Sequence, residues 1–203
     1  MKKIIIFLAL FCVAVSAQNT FTDKRDGKKY KTAKIGEQVW MAQNLNYKTK
    51  SSVCYKDKAA NCQKYGMLYD WETAMKACPT GWRLPSDTEW QTLVNFTGNT
   101  EFAGRDLKAK SGWDKKSNGT DKYGFSALPG GSAGNSVAFG NTGCNGGCWW
   151  SSTTVELEGE GNSAYGRQMN YDLGDDDDDT DSYNVDRYYD IKQVLFSVRC
   201  VKD

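Results

Sequence analysis

Residues 78 to 93 read CPTGWRLPSDTEWQTL, and how this stretch is parsed decides the fold. Upstream, the run from Tyr69 to Ala77 puts Trp71, Ala74 and Met75 at i, i+3, i+4 spacing, which predicts a short helix with one apolar face. Pro79 and Gly81 stop that helix. Leu84 precedes Pro85 and is therefore biased toward extended backbone. Ser86 and Glu89 then form a capping box, in which the serine oxygen accepts from the Glu89 amide and the glutamate reaches back. Trp90, Leu93 and Val94 give the next helix its buried face. The stretch is a helix stop, an extended link and a helix start, with a cysteine at the stop. It is architecture, not a catalytic box.

Working outward, residues 30 to 35 alternate in polarity, and QVWM follows after Gly36-Glu37, which predicts a β-hairpin turning at Ile35 to Gln38. Residues 51 to 64 are polar and read as a loop pinned by its own Cys54–Cys62 bridge. Beyond Gly98 short apolar runs are punctuated by Gly, Ser, Asn and Asp. Residues 123–128, 148–151, 165–171 and 193–201 read as strands joined by long loops. Two early helices followed by loop-rich β structure predict an α+β domain. No internal repeat or linker divides it, so one domain is expected from Gln18 to Asp203.

The first residues, MKKIIIFLALFCVAVSAQNT, have the parts of a secretory signal: two lysines, an apolar run, and small residues at Ala17. The apolar run is shorter than the roughly 20 residues a bilayer span needs. Phe11 is bulky where a small residue would precede a lipidated Cys12, so a secreted, periplasmic or cell-surface protein is expected, without a membrane span. Removal of residues 1 to 17 takes away two of 26 basic residues against 25 acidic ones, and this near-neutral balance gives no reason to expect nucleic acid as a partner. Six cysteines remain, which in an exported chain read as three disulfides. Histidine is absent. That removes Ser-His and Cys-His nucleophile pairs and the usual catalytic zinc sets together.

The stretches GEQVWMAQNLNY, CQKYGMLYDWETAMKACPTGWRLPSDTEWQTL, DKYGFSALPGG, CWWSS and FSVRCVKD together resemble the Fibrobacter succinogenes major paralogous domain. That family is related to the C-type lectin-like and formylglycine-generating-enzyme folds. The resemblance runs from about Phe21 to Asp203. It implies two helices flanking a twisted, mostly antiparallel sheet with long loops. It also implies a bridge from the end of the first helix to the last strand, Cys78 to Cys200. Cys54–Cys62 and Cys144–Cys148 would complete the set, with free thiols or a metal site as the alternatives for the last pair.

The resemblance supplies no activity, so candidate sites rest on residue chemistry. Asp175, Asp176, Asp177, Asp178, Asp179 and Asp181 could supply oxygen ligands to calcium, the one candidate ion, although no EF-hand spacing follows and the run reads first as a solvated, self-repelling loop. The Glu-Pro-Asn and Trp-Asn-Asp patterns of calcium-dependent sugar-binding lectins are absent. Trp71, Trp82, Trp90 and Trp149 or Trp150 sit in the shared motifs and read as packing residues. Trp113, Tyr165, Tyr171, Tyr183, Tyr188 and Tyr189 lie in the irregular region and are the candidate ligand contacts. Arg83 and Arg199 are candidates for an anion, with Arg199 reading first as an internal ion-pair partner. The leading expectation is a non-enzymatic binding module for a surface glycan or extracellular protein, needing no cofactor. A formylglycine-generating-enzyme-like catalytic domain using Cys144/Cys148 is one alternative, and a structural envelope or matrix protein is the other.

Overall fold

The computed structural model describes residues 19–98, 102–114, 116–134, 139, 144–157, 159–171 and 183–203; the predicted leader falls outside them. The protein is α+β, with few helices and two mainly antiparallel sheets. The first contains β1 (Asn19–Thr22), β2 (Lys29–Ile35), β3 (Gln38–Met41), β5 (Trp82–Arg83) and β10 (Val201–Lys202), in the order β1-β2-β3-β10-β5. The second contains β4 (Leu68–Tyr69), β6 (Gly146–Thr154), β7 (Ser163–Asn170), β8 (Asp186–Ile191) and β9 (Phe196–Ser197), in the order β4-β9-β6-β7-β8.

The hairpin turns at Gly36-Glu37 as its sequence predicts, with Ile35 opposite Gln38. Helix α2 (Trp71–Ala77) starts at Asp70, whose carboxylate accepts from the Thr73 amide at 2.8 Å. Helix α3 (Asp87–Phe96) carries the Ser86–Glu89 capping box, and Trp90, Leu93 and Val94 are its buried face. Glu89 also pairs with Arg83 at 2.7 Å.

Four expectations are corrected. Residues 59–65 form a helix, α1 (Ala59–Tyr65), inside the stretch read as a loop, and α4 (Ala103–Leu107) is a further short helix. The 123–128 run is not a strand; only Ala127 bridges, to Lys108. The 193–201 run is not one central strand. It splits into β9 and β10, which belong to different sheets, with Arg199 at the crossing. Last, β8 lies within what reads as loop, at the edge of the second sheet, and the strands form two sheets where a single one was expected.

Trp149 and Trp150 show why two sheets share one interior. Adjacent residues on a strand point to opposite faces, so each indole enters a different core. Trp149 packs with Trp40, Trp90 and Phe125. Trp150 packs with Tyr69, Trp71 and Phe196, its ring centroid 4.4 Å from that of Phe196. Both ring N–H groups are satisfied, Trp149 by Asn44 Oδ1 at 2.8 Å and Trp150 by the Tyr69 carbonyl at 2.9 Å. Each aromatic pair adds about 0.5–1.5 kcal/mol beyond its area burial.

Three disulfides close the framework: Cys54–Cys62, Cys78–Cys200 and Cys144–Cys148. The second joins residues 122 apart and ties the end of α2 to the run leading into β10. Val201 pairs with both Trp40 and Arg83. The C-terminal strand thus sits between the N-terminal hairpin and the link within CPTGWRLPSDTEWQTL.

Candidate functional site

Strands β7 and β8 run antiparallel with Tyr165 opposite Tyr189, Gly166 opposite Tyr188 and Arg167 opposite Arg187. Alternation divides these residues between two faces. Tyr188 faces inward: its ring lies 5.6 Å from that of Phe196, and Gly166 across from it leaves room, since a Cβ there would meet the Tyr188 ring at 3.2 Å. Its hydroxyl is buried and has no hydrogen-bond partner among the described residues. Burial holds that phenol well above its ordinary pKa.

The opposite face carries a chain of contacts from interior to surface. Arg167 is buried, and Asp87, the first residue of α3, accepts from it through both a carboxylate oxygen and the backbone carbonyl. Burial pulls the Arg167 guanidinium below its usual pKa, and the Asp87 bonds oppose that only in part. The other Asp87 carboxylate oxygen accepts from Arg187 Nε at 2.9 Å. The Arg187 guanidinium lies 3.7 Å from the Tyr165 ring centroid. Tyr165 meets Tyr189 edge-to-face, with centroids 6.2 Å apart. Tyr189 is 43% exposed, Ile191 on the same face 42%, and Leu157 nearby 55%. An open depression of about 300 Å³, lined by Thr153, Thr154, Glu156, Leu157 and Tyr165, borders the pair.

The six aromatic candidates do not converge. Only Tyr165 and Tyr189 meet at the surface. Trp113 is buried, its ring N–H bonded to the Ala127 carbonyl at 2.8 Å, so it belongs to the core. Tyr171 packs its ring edge-on against Trp113 at 5.4 Å, and burial raises its pKa to about 12. Tyr183 lies 6.0 Å from Phe102. Tyr188 belongs to the interior. Cys148 is buried and bonded to Cys144. Asp175 to Asp179 and Asp181 lie outside the described residues. Among the described residues no group of three or more Cys, Asp and Glu is placed to hold a metal.

Sequence reading misses Asp87, Arg187, Leu157 and Ile191. A signal for two of them exists: DRYYDI alternates, with Arg187, Tyr189 and Ile191 on one face. Asp87 carries no such signal, because 100 residues separate it from Arg187.

Arg199 also departs from expectation. It is buried but has no carboxylate within ion-pair distance among the described residues. Its guanidinium donates to Asn44 Oδ1, at 2.7 and 3.0 Å, and to the Met41 and Phe125 carbonyls. The Met41 carbonyl lies at the end of β3 and the Phe125 carbonyl outside the strands, and a buried carbonyl needs a donor.

These features define a disulfide-framed α+β domain with an aromatic patch at one sheet edge. The sequence profile of the Fibrobacter succinogenes major domain matches residues 33–202, and the chain belongs to that family. No curated protein and no solved structure matches it.

Proposed function

We propose that this chain is an exported C-type lectin-like binding module whose Tyr165–Tyr189 face takes a surface glycan. The observation that carries the reading is the relay Asp87–Arg187–Tyr165–Tyr189, which holds two phenol rings at the surface in fixed geometry. Ordering long side chains on binding costs about 0.5–1.5 kcal/mol each, so rings already fixed keep more of their contact energy. Aromatic faces stack on the C–H faces of sugars, while Glu156, Thr153 and Thr154 beside them offer hydrogen bonds to hydroxyls. The Cys78–Cys200 bridge, of the kind the family resemblance implies, supports the lectin-like assignment.

The test is thermal unfolding of the mature protein with plant and bacterial polysaccharides, and separately with calcium and with chelator. A ligand of the folded state adds about 2.7 kcal/mol at a hundredfold excess over its dissociation constant. At least one polysaccharide is expected to raise the transition, and Tyr165→Ala with Tyr189→Ala to abolish that rise. Silence across the whole panel would remove the glycan reading and leave a protein ligand. A calcium-dependent rise would assign the aspartate run as its site. The catalytic alternative requires Cys144–Cys148 to open under mild reductant, and thiol labelling that detects no opening disposes of it.

A further inference from the structure

A second cavity, of about 320 Å³, lies away from the aromatic face. Its walls come from β2, the chain around residues 42–46, the end of α1, and residues near Ser126. The volume is at the low end of small-ligand sites, which run from about 300 to 1,000 Å³.

Its chemistry is one-sided. Lys28, Lys29, Lys31, Lys64 and Arg199 line it, and no carboxylate does. Strand alternation puts Lys29 and Lys31 on one exposed side, with Tyr30 buried between them. Lys28 is already engaged, by Asp26 at 3.0 Å and by the Asn46 carbonyl. Lys29, Lys31 and Lys64 form no ion pair with any described residue.

Arg199 sets the character of the site. A guanidinium has five N–H donors. The contacts to Asn44, Met41 and Phe125 use four, and every acceptor is neutral. Burial pulls the Arg199 pKa down to about 9, opposed only by the field of Asp121. The Asp121 carboxylate is itself occupied by the Ser126 amide and hydroxyl, both at 2.7 Å. A buried cation is stabilised by a paired anion, and among the described residues no carboxylate lies within ion-pair distance of Arg199.

The walls are also rigid. Asn44 Oδ1 accepts from Arg199 and Trp149, while its amide donates to the Tyr65 carbonyl at 2.8 Å and to Ser197 Oγ at 3.2 Å. Gly66 has φ +78°, and a Cβ there would lie 2.8 Å from Asn44 Cβ, so the backbone closes tightly against this residue. Gln63 and the Nε2 group of Gln43 add amides beside the lysines. Donors dominate the lining, and they call for an acceptor-rich ligand.

We infer that this cavity binds the anionic group of an acidic sugar, either a uronic acid or a sugar sulfate. The lysines meet the charge, and the amides with Tyr65 meet the ring hydroxyls. The site does not depend on the Tyr165–Tyr189 face.

Calorimetric titration of the mature protein with galacturonate, glucose 6-sulfate, neutral galactose and sodium sulfate, at fixed ionic strength, tests it. At least one anionic sugar is expected to bind tenfold or more tightly than galactose and than sulfate, and to weaken as salt rises. The two sugars distinguish carboxylate from sulfate ester. Lys29→Gln, Lys31→Gln and Lys64→Gln together should lower that affinity at least tenfold with the melting transition retained, since all three residues are exposed. Tyr165→Ala with Tyr189→Ala should leave it unchanged. Galactose binding as tightly as the acids, sulfate binding as tightly as either, neither acid binding, or full affinity in the lysine variant would each overturn the inference.

Discussion

Arg167 and Arg199 are buried to the same degree, both 1% exposed, and the two regions around them solve the same problem differently. At β7–β8 the cation meets Asp87, and the pair extends outward through Arg187 to the aromatic surface. At the sheet crossing the cation meets, among the described residues, only neutral oxygens and borders a cavity lined by lysines. The first region is electrostatically closed and displays apolar rings. The second is electrostatically open and displays positive charge. One domain therefore offers two surfaces of opposite chemistry.

The largest expected effect comes from breaking the closed region. Asp87→Ala strands a buried guanidinium, a class of change worth about 3–5 kcal/mol; because Asp87 is partly exposed, the low end is expected. Denaturant unfolding measures it, and Asp87→Leu combined with Arg167→Met should recover most of the loss. Arg199→Met should cost about 2 kcal/mol, since it leaves the Met41 and Phe125 carbonyls without this donor but removes a charge that has no counter-charge among the described residues. If Arg199→Met proves more damaging than Asp87→Ala, the contrast between the two regions fails.

Tyr30, on the cavity wall, sharpens the comparison through pH. Burial is the main reason its pKa is raised, from 10.0 to about 12. A raised folded pKa contributes stability that is complete below pH 10 and lost as pH climbs through 12. Stability should therefore fall by about 2 kcal/mol across that window on account of Tyr30, and Tyr30→Phe should flatten the slope in an alkaline unfolding series. Ser86→Ala should cost about 1 kcal/mol by removing the cap of α3, the helix that carries Asp87, and a shift in melting transition reads it. Tyr189→Ala should change stability by less than about 0.5 kcal/mol, because the ring is exposed, yet weaken glycan binding.

The local features were legible in the chain. The Ser86–Glu89 cap and the Gly36-Glu37 turn each rest on residues within about four positions of one another, where sequence and geometry are nearly the same thing. What misled was short range as well. AANCQKY has no strong apolar period, so α1 read as loop, and VLFSVRCV looked like one strand although its two ends pair in different sheets. Of the ligand candidates, Tyr165 and Tyr189 resembled Trp113 and Tyr188 in composition. Only strand alternation and burial separated a surface pair from core residues.

By itself, the sequence determined the helix boundaries around CPTGWRLPSDTEWQTL, the α+β class, the six-cysteine framework and the absence of histidine chemistry. The tertiary structure alone decided that Asp87 meets Arg187 from 100 positions away, and that Asn44 meets Arg199 from 155. Such pairings are set by how the two sheets pack against each other around two separate apolar clusters. No local propensity encodes which side chain a buried charge will face.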